Sequence, residues 1–264
     1  MLIDTHCHLD FPEYQDSTVA NNIPFSEVLN NMKGNGVDFA ITIGVNLENW
    51  QQVHQIALEN ENIYCSVGIH PDYQNAREPS IDELIEKAKL PKVVAIGECG
   101  LDYFHCPDKP KWQEERFVKH IFAAKTCQKP LIIHSRDCGN RMIEILKSER
   151  INNEDPGVMH CFTDSWDIAK AAIDLGFYIS FSGIVTFKNA RLIHEVATKV
   201  PADRYLIETD APYLAPTPYR GKTNQPAYVR YVAEAIAKLR NTEFNKIAEQ
   251  STENAVRLFK LPIQ

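Results

Sequence analysis

The chain has 264 residues, a formal net charge of −7 and a sequence pI near 5.7. This length allows one large domain or two small ones and is ample for a buried core. The acidic balance argues against a protein that coats nucleic acid electrostatically, although an enzyme that binds a few phosphates locally stays compatible with it.

Targeting and redox signals are absent from the sequence. No apolar run approaches the roughly 20 residues of a membrane helix, and the N-terminus lacks the charged, apolar and small-residue regions of a signal peptide. We therefore expect a cytoplasmic protein without a membrane partner. The seven cysteines form no Cys-x-x-Cys pair, so we expect them to be reduced and mostly buried.

Short apolar runs alternate with amphipathic helical patterns along the whole chain. The runs cover residues 2–5, 39–44, 63–68, 93–97, 131–133, 157–159, 177–181 and 205–209. Helical spacing predicts helices near 24–33, 47–59, 111–127, 165–175 and 190–199, one that starts at Ser80, one around Met142, and two at the end, 227–239 and 243–259.

Eight strand–helix units predict a parallel α/β fold, a single (β/α)8 TIM barrel over residues 1–264 with an extra C-terminal helix. No composition shift or linker marks a domain boundary. The alternative is an open doubly wound sheet, but no Gly-x-Gly-x-x-Gly motif follows the first run.

Polar residues follow several of the predicted strands. His6 and His8 end the first run and project from one side of an extended segment. The other members of this set are Glu98, His134, His160 and Asp210. In a barrel the carboxyl ends of the strands meet at one mouth. Four imidazoles and two carboxylates exceed the needs of one tetrahedral zinc and suit two divalent ions that share a carboxylate.

Several motifs extend this pattern nearly from end to end. They are Asp4-Thr5-His6-Cys7-His8, Gly68-Ile69-His70-Pro71, Gly97-Glu98-Cys99-Gly100-Leu101-Asp102-Tyr103, His160-Cys161-Phe162, Phe181-Ser182-Gly183, Glu208-Thr209-Asp210-Ala211-Pro212, and the segments 130–137 and 220–226. The sequence resembles the TatD family of metal-dependent deoxyribonucleases, among the amidohydrolase-like barrels. Cys99 and Ala211 depart from the Thr and Ser common in that family, at positions that should not bind metal.

The resemblance implies roles for the polar set. His6, His8 and Asp210 would hold one ion, His134 and His160 the other, and Glu98 would bridge them. The ions could be Zn, Mn, Mg or Ni, since mixed His and carboxylate ligands suit all four. A bridging hydroxide would attack phosphorus in line. Asp210 would accept the water's proton, and Glu208 would handle a proton or orient a ligand.

Other residues are candidates for substrate contact. This set is His70, Asp102, Tyr103, Arg136, Lys188, Arg220 and Lys222. Arginine forks suit phosphate oxygens, and the aromatic residues Tyr103, Phe104, Phe187 and Tyr219 could stack a base. Solvated charges and aromatic loop packing are the competing interpretations.

The sequence thus predicts a monomeric exonuclease that acts on single-stranded or frayed DNA. The resemblance implies that it works from the 3′ end, in the 3′–5′ direction, and allows RNA as a further substrate. Hydrolysis of a small amide or ester is a competing hypothesis, but such barrels often bridge their ions with a modified Lys where this chain has Glu98. Two further hypotheses are cleavage of an aminoacyl-tRNA ester and metal binding by a barrel that has lost catalysis.

Overall fold

The strands form one parallel sheet in the order β1 to β8, in a computed structural model that describes residues 1–150 and 156–263. They are β1 (Leu2–Cys7), β2 (Val37–Thr42), β3 (Ile63–Val67), β4 (Val93–Asp102), β5 (Leu131–Arg136), β6 (Gly157–Met159), β7 (Tyr178–Phe181) and β8 (Tyr205–Ile207). Each strand pairs with the next one in sequence, as βαβ units require.

Helices surround the sheet. They are α1 (Pro12–Gln15), α2 (Phe25–Gly34), α3 (Trp50–Glu59), α4 (Ile81–Ala88), α5 (Lys111–Cys127), α6 (Gly139–Ser148), α7 (Trp166–Asp174), α8 (Arg191–Lys199), α9 (Val229–Leu239) and α10 (Phe244–Phe259). The predicted barrel with an extra C-terminal helix is confirmed. None of the helices in the described ranges is long and apolar enough to cross a membrane.

The two edges of the sheet meet at the carboxyl end. The backbone N–H of Asp210 donates to the carbonyl of His6 at 2.9 Å, and that of His8 donates to the carbonyl of Ala211 at 2.8 Å. These bonds join β1 to the chain just beyond β8, so the sheet becomes a nearly closed barrel. The predicted metal ligands at the two edges are thereby brought side by side.

The barrel interior is filled at its amino end. One buried cluster takes a side chain from each strand: Ile3, Ile41, Tyr64, Ala95, Ile132, Val158, Tyr178 and Leu206. Leu258 and Phe259 of α10 pack against this layer. The extra C-terminal helix therefore covers the amino end of the barrel, and the polar residues are confined to the opposite mouth.

Three strands continue beyond their predicted ends. β1 reaches Cys7, β5 reaches Arg136 and β4 reaches Asp102, so Glu98 and His134 lie within strands and not after them. The register of β4 against β5 shifts between Ile96 and Cys99, after which pairing resumes. Gly100 allows this pairing, because a Cβ there would lie 2.1 Å from the carbonyl oxygen of His134.

Short elements were not predicted. They are α1 and two turns of 3-10 helix at Gly183–Thr186 and Pro226–Tyr228. All seven cysteines are free thiols and five are buried, as expected.

A buried histidine on α5 ties that helix to the segment after β3. His120 is fully buried; its Nδ1 lies 2.8 Å from the carbonyl oxygen of Arg116, and its Nε2 accepts a hydrogen bond from the N–H of Ile69 at 3.1 Å. This pattern requires the neutral ring with its proton on Nδ1. Burial lowers the pKa of His120 from 6.5 to about 4.

We predict that this histidine makes stability depend on pH. Because the folded pKa lies below the unfolded one, the unfolded chain binds the proton first. Stability is therefore complete above about pH 6.5 and falls as the pH approaches 4, by about 3 kcal/mol for this shift. Urea unfolding of wild type and His120→Gln in EDTA checks this: the variant should be less stable at pH 7.5, and the difference should shrink towards pH 4.5. A constant difference would contradict it.

Candidate metal centre

A cavity of about 750 Å³ opens at the carboxyl ends of the strands. Its lining includes eight of the residues predicted from the sequence: His8, His70, Glu98, Asp102, His134, Arg136, His160 and Asp210. His6 lies fully buried beneath them. The barrel thus brings together residues that are distant in sequence, as the pattern of strand ends indicates.

Glu98 lies at the centre of the cluster, and its two oxygens face different partners. Oε1 lies 3.0 Å from Nε2 of His160 and 3.2 Å from Nδ1 of His134. Oε2 lies 3.3 Å from Nε2 of His6. A carboxylate in this position can bind a different ion through each of its two oxygens.

A first group of donors lies on the Oε2 side. Oδ1 of Asp210 is 3.4 Å from Nε2 of His8 and 3.6 Å from Nε2 of His6, and the donor atoms of the three residues lie within 4.8 Å of one another. Both ring nitrogens of His6 and Nδ1 of His8 are buried without a hydrogen-bond partner among the described residues. Such burial is costly for a polar atom, so these donors fit a bound cation.

The remaining donors are grouped differently from the expected pair. His160 shares a group with His6 and Glu98, and the rings of His6 and His160 are stacked with centroids 3.8 Å apart. His134 shares a group with Glu98 and His70, whereas its ring is 5.9 Å from that of His160. The other five predicted ligands therefore cluster around Glu98, and His70 joins them.

The carboxylates of Glu208 and Asp102 fix the orientation of His160 and His134 by contacting the ring nitrogens that face away from Glu98. Oε1 of Glu208 lies 3.0 Å from Nδ1 of His160 and accepts the N–H of Cys161 at 2.6 Å, while Oε2 accepts the hydroxyl of Ser180 at 2.6 Å. Oδ2 of Asp102 lies 3.0 Å from Nε2 of His134. Each carboxylate can accept a hydrogen bond from one imidazole N–H and leave the other ring nitrogen free for an ion.

The histidines of the cluster lower the pKa values of its two carboxylates, Glu98 and Asp210. Burial alone would raise the pKa of Glu98, but the neighbouring imidazoles of His160, His70 and His6 outweigh it and hold that pKa well below its ordinary value. Burial would also raise the pKa of Asp210. The hydrogen bond with His8 is the largest of the effects that lower this pKa instead. Both carboxylates are therefore ionised and suited to a cation.

Several predicted substrate contacts lie away from the cavity. The hydroxyl of Tyr103 donates to Glu114 on α5, outside the barrel. Lys188 is exposed, Arg220 lies over the ring of Phe187 at 4.2 Å, and Lys222 lies 5.9 Å from the ring centroid of Tyr219. None of these four predicted contacts is among the lining residues, whereas Arg136 is.

The cavity also contains residues that sequence reasoning missed. Asp72 accepts from Nδ1 of His70 at 2.6 Å, and His105 contacts Asp102 through Nδ1 at 2.8 Å. The aromatic residues Phe11, Tyr73 and Tyr213 line the same cavity. The two-residue spacing of His70 and Asp72 was a signal for the first pair; the aromatic residues lie on loops whose convergence only the closed barrel reveals.

A barrel with a buried cluster of metal-binding donors at its carboxyl end is the arrangement found in metal-dependent barrel hydrolases. The family model described as "TatD related DNase" matches residues 3–260 of the chain. The chain therefore belongs to the TatD-related DNase family and is a metal-dependent hydrolase of that family.

Relatives match the chain over nearly its full length. The uncharacterized metal-dependent hydrolase YcfH of Escherichia coli (strain K12) is 41% identical over 98% of this chain and 96% of its own length. The 3′-5′ ssDNA/RNA exonuclease TatD of Klebsiella pneumoniae (strain 342) is 33% identical, over 90% and 92%. The crystal structure of YJJV, a TatD homolog from Escherichia coli K12, superposes with a TM-score of 0.88 at 29% identity, over 99% and 98%.

We predict that Glu208 supports metal affinity without contacting an ion. Replacement Glu208→Gln exchanges the anionic acceptor that holds the Nδ1 proton of His160 for a neutral amide oxygen and should weaken divalent-ion binding about 10- to 100-fold. Titration calorimetry with Mn²⁺ and Zn²⁺ measures this, with Glu115→Gln on the exposed face of α5 as the matched control. Affinity equal to that of the control would show that Glu208 has no such role.

Proposed function

We propose that this protein is a divalent-metal-dependent phosphodiesterase that removes nucleotides from the 3′ end of single-stranded or frayed DNA. The observation that carries the proposal is that Oε1 of Glu98 faces His134 and His160 whereas Oε2 faces His6. The family match supports phosphodiester cleavage. The name of the relative from Klebsiella pneumoniae supports a 3′ end and includes RNA as a substrate.

The residues present fit two divalent ions of the Zn, Mn, Mg or Ni type. His6, His8 and Asp210, which form one group of donors, would hold one ion. His134 and His160, which both face Oε1 of Glu98, would hold the other, with Glu98 between the two ions. When bound, two ions supply Lewis-acid polarisation of the phosphoryl group and neutralise the charge that develops on it.

The chain's own residues would do the rest of the chemistry. Asp210 takes the proton of the attacking water at its carboxylate, in the role of general base. Glu208 and Asp102 hold the protons of His160 and His134 on the nitrogens that face away from Glu98. Both carboxylate oxygens of Glu208 accept hydrogen bonds from other residues of the protein. We therefore assign Glu208 to positioning and not to proton transfer.

We propose that Arg136 binds phosphate. It ends β5 within the lining, and its guanidinium lies 3.9 Å from the ring centroid of the exposed Phe104. Arginine suits phosphate oxygens through paired hydrogen bonds. We propose no direct substrate role for Asp102, because its carboxylate is occupied by His134 and His105.

We further propose that the enzyme acts as a monomer in the cytoplasm. Every candidate ligand comes from one chain, so no second subunit is needed to complete the centre. Seven free thiols fit a reducing compartment.

The first prediction of this proposal concerns the products. A single strand labelled at its 5′ end should shorten stepwise, and a strand labelled at its 3′ end should release labelled mononucleotide, in the presence of Mn²⁺, Mg²⁺, Zn²⁺ or Ni²⁺. EDTA should stop both reactions. DNA and RNA strands of one sequence, tested side by side, rank the two substrates. Internal fragments, turnover in EDTA, or no release with any of the metals would contradict the proposal.

The second prediction concerns Asp210. Replacement Asp210→Asn removes the proton acceptor and one anionic ligand, so kcat at saturating metal should fall about 100- to 10,000-fold. Asp174→Asn on the exposed face of α7, where Asp174 forms an exposed ion pair with Lys170, is the matched control. An Asp210→Asn variant with two bound ions and unchanged kcat would exclude the general-base role.

A further inference from the structure

The cavity mouth has two walls of different chemistry. Phe11 and Tyr213 lie on the loops that follow β1 and β8, and Tyr73 lies on the loop that follows β3. Arg136 ends β5, which is four strands from β1 around the barrel. Phe11 and Tyr213 therefore lie across the ligand cluster from the arginine, and Tyr73 lies two strands away from it.

The aromatic wall, formed by Phe11, Tyr73 and Tyr213, contacts the histidines of the cluster. The ring of Phe11 stacks on His8 with centroids 4.6 Å apart and planes 21° apart, and Tyr213 meets Phe11 edge to face at 6.0 Å. Tyr73 meets His70 edge to face at 6.2 Å. Tyr213 is 51% exposed and Tyr73 is 36% exposed. Exposed aromatic rings beside a cavity are characteristic of a binding surface.

Charge separates the two walls as well. Arg136 is the one Lys or Arg among the described residues that line the cavity, so the aromatic wall has no Lys or Arg side chain. Each wall also carries one carboxylate in contact with histidine, Asp102 beside Arg136 and Asp72 beside Tyr73. An anionic phosphate is attracted to the arginine and finds no cationic Lys or Arg among the described residues of the aromatic wall. The aromatic wall therefore suits the part of a nucleic acid that carries no further phosphate, which is its 3′-terminal nucleoside.

A smaller polar cavity of about 600 Å³ adjoins this wall and shares Asp72 and Tyr73 with it. Its lining includes the amide side chains of Asn46, Asn49 and Asn75 and contains no Lys or Arg within the described part of the chain. Amide groups can hydrogen bond to the edge of a base or to a sugar hydroxyl. The lining of this smaller cavity therefore suits an uncharged nucleoside and not a phosphate.

We propose that Phe11, Tyr73 and Tyr213 form a stacking site for the 3′-terminal base, and that the remaining strand leaves the cavity past Arg136. This inference rests on the proposed function and specifies how that site holds its substrate. Stacking on the rings is tolerant of sequence, so the enzyme should accept any terminal base but should require that a base is present.

Binding without catalysis tests the stacking site directly. The probes are short thymidine strands with a 5′ fluorophore and an uncharged methylphosphonate as the last linkage, so that in EDTA no phosphate charge meets Glu98. One strand ends in thymidine and the other in an abasic residue. Fluorescence anisotropy should give wild type a roughly tenfold tighter Kd for the strand that has the terminal base.

Tyr213→Ala should lose this preference, because it removes an exposed ring. Tyr213→Phe keeps the ring and should retain the preference, and Phe122→Ala, which removes a ring of similar exposure on α5 outside the cavity, should also retain it. Phe11 is not a suitable target, since its ring stacks on His8. Equal affinity of wild type for the two strands, including binding of neither, would overturn the stacking site, as would an unchanged preference in Tyr213→Ala.

The two proposals fail in different ways. If wild type releases no nucleotide from a normal strand with any metal, the proposed function fails, and the preference measured in EDTA still decides whether the base is bound. If wild type trims the normal strand and the abasic strand at equal rates and binds them equally, the exonuclease proposal stands and the stacking site is wrong.

Discussion

A buried carboxylate surrounded by imidazoles is the interaction on which the site depends. Glu98 is 2% exposed and lies within 3.3 Å of ring nitrogens from four histidines. Without compensation, a charge buried to this extent would be strongly unfavourable. The surrounding donors supply that compensation, and they can do so only because β1, β3, β5 and β6 deliver them to one point.

The barrel makes this convergence possible by separating its two ends. Apolar side chains from all eight strands, covered by α10, fill the amino end. The carboxyl end keeps the polar atoms, among them the unpartnered nitrogens of His6 and His8. Stability and chemistry are thus assigned to opposite ends of the same strands. The bonds that join β1 to the segment after β8 close the carboxyl end, since they bring Asp210 beside His6.

The fold was predictable because apolar runs and helical patterns alternate eight times, which few other architectures require. The metal-binding candidates were predictable because each is a polar residue that ends an apolar run. The boundaries of β4 were not, since a glycine at position 100 resembles a turn while the structure uses it for close strand pairing.

Side-chain direction explains the remaining differences. Alternation along β4 points Glu98 and Asp102 into the mouth and sends Tyr103, the next residue along, outwards to Glu114 on α5. The aromatic wall could not be predicted, because Phe11, Tyr73 and Tyr213 lie on three loops that meet only in the closed barrel. The grouping of His160 with His6, and of His134 with His70, depends on ring orientations that spacing does not encode.

Anomalous X-ray diffraction from crystals grown with Mn²⁺ or Zn²⁺ tests the central claim most directly. We expect two anomalous peaks at the barrel mouth, each in contact with a different oxygen of Glu98, one beside His6, His8 and Asp210 and the other beside His134 and His160. A single peak, or two peaks of which only one contacts Glu98, would contradict this account.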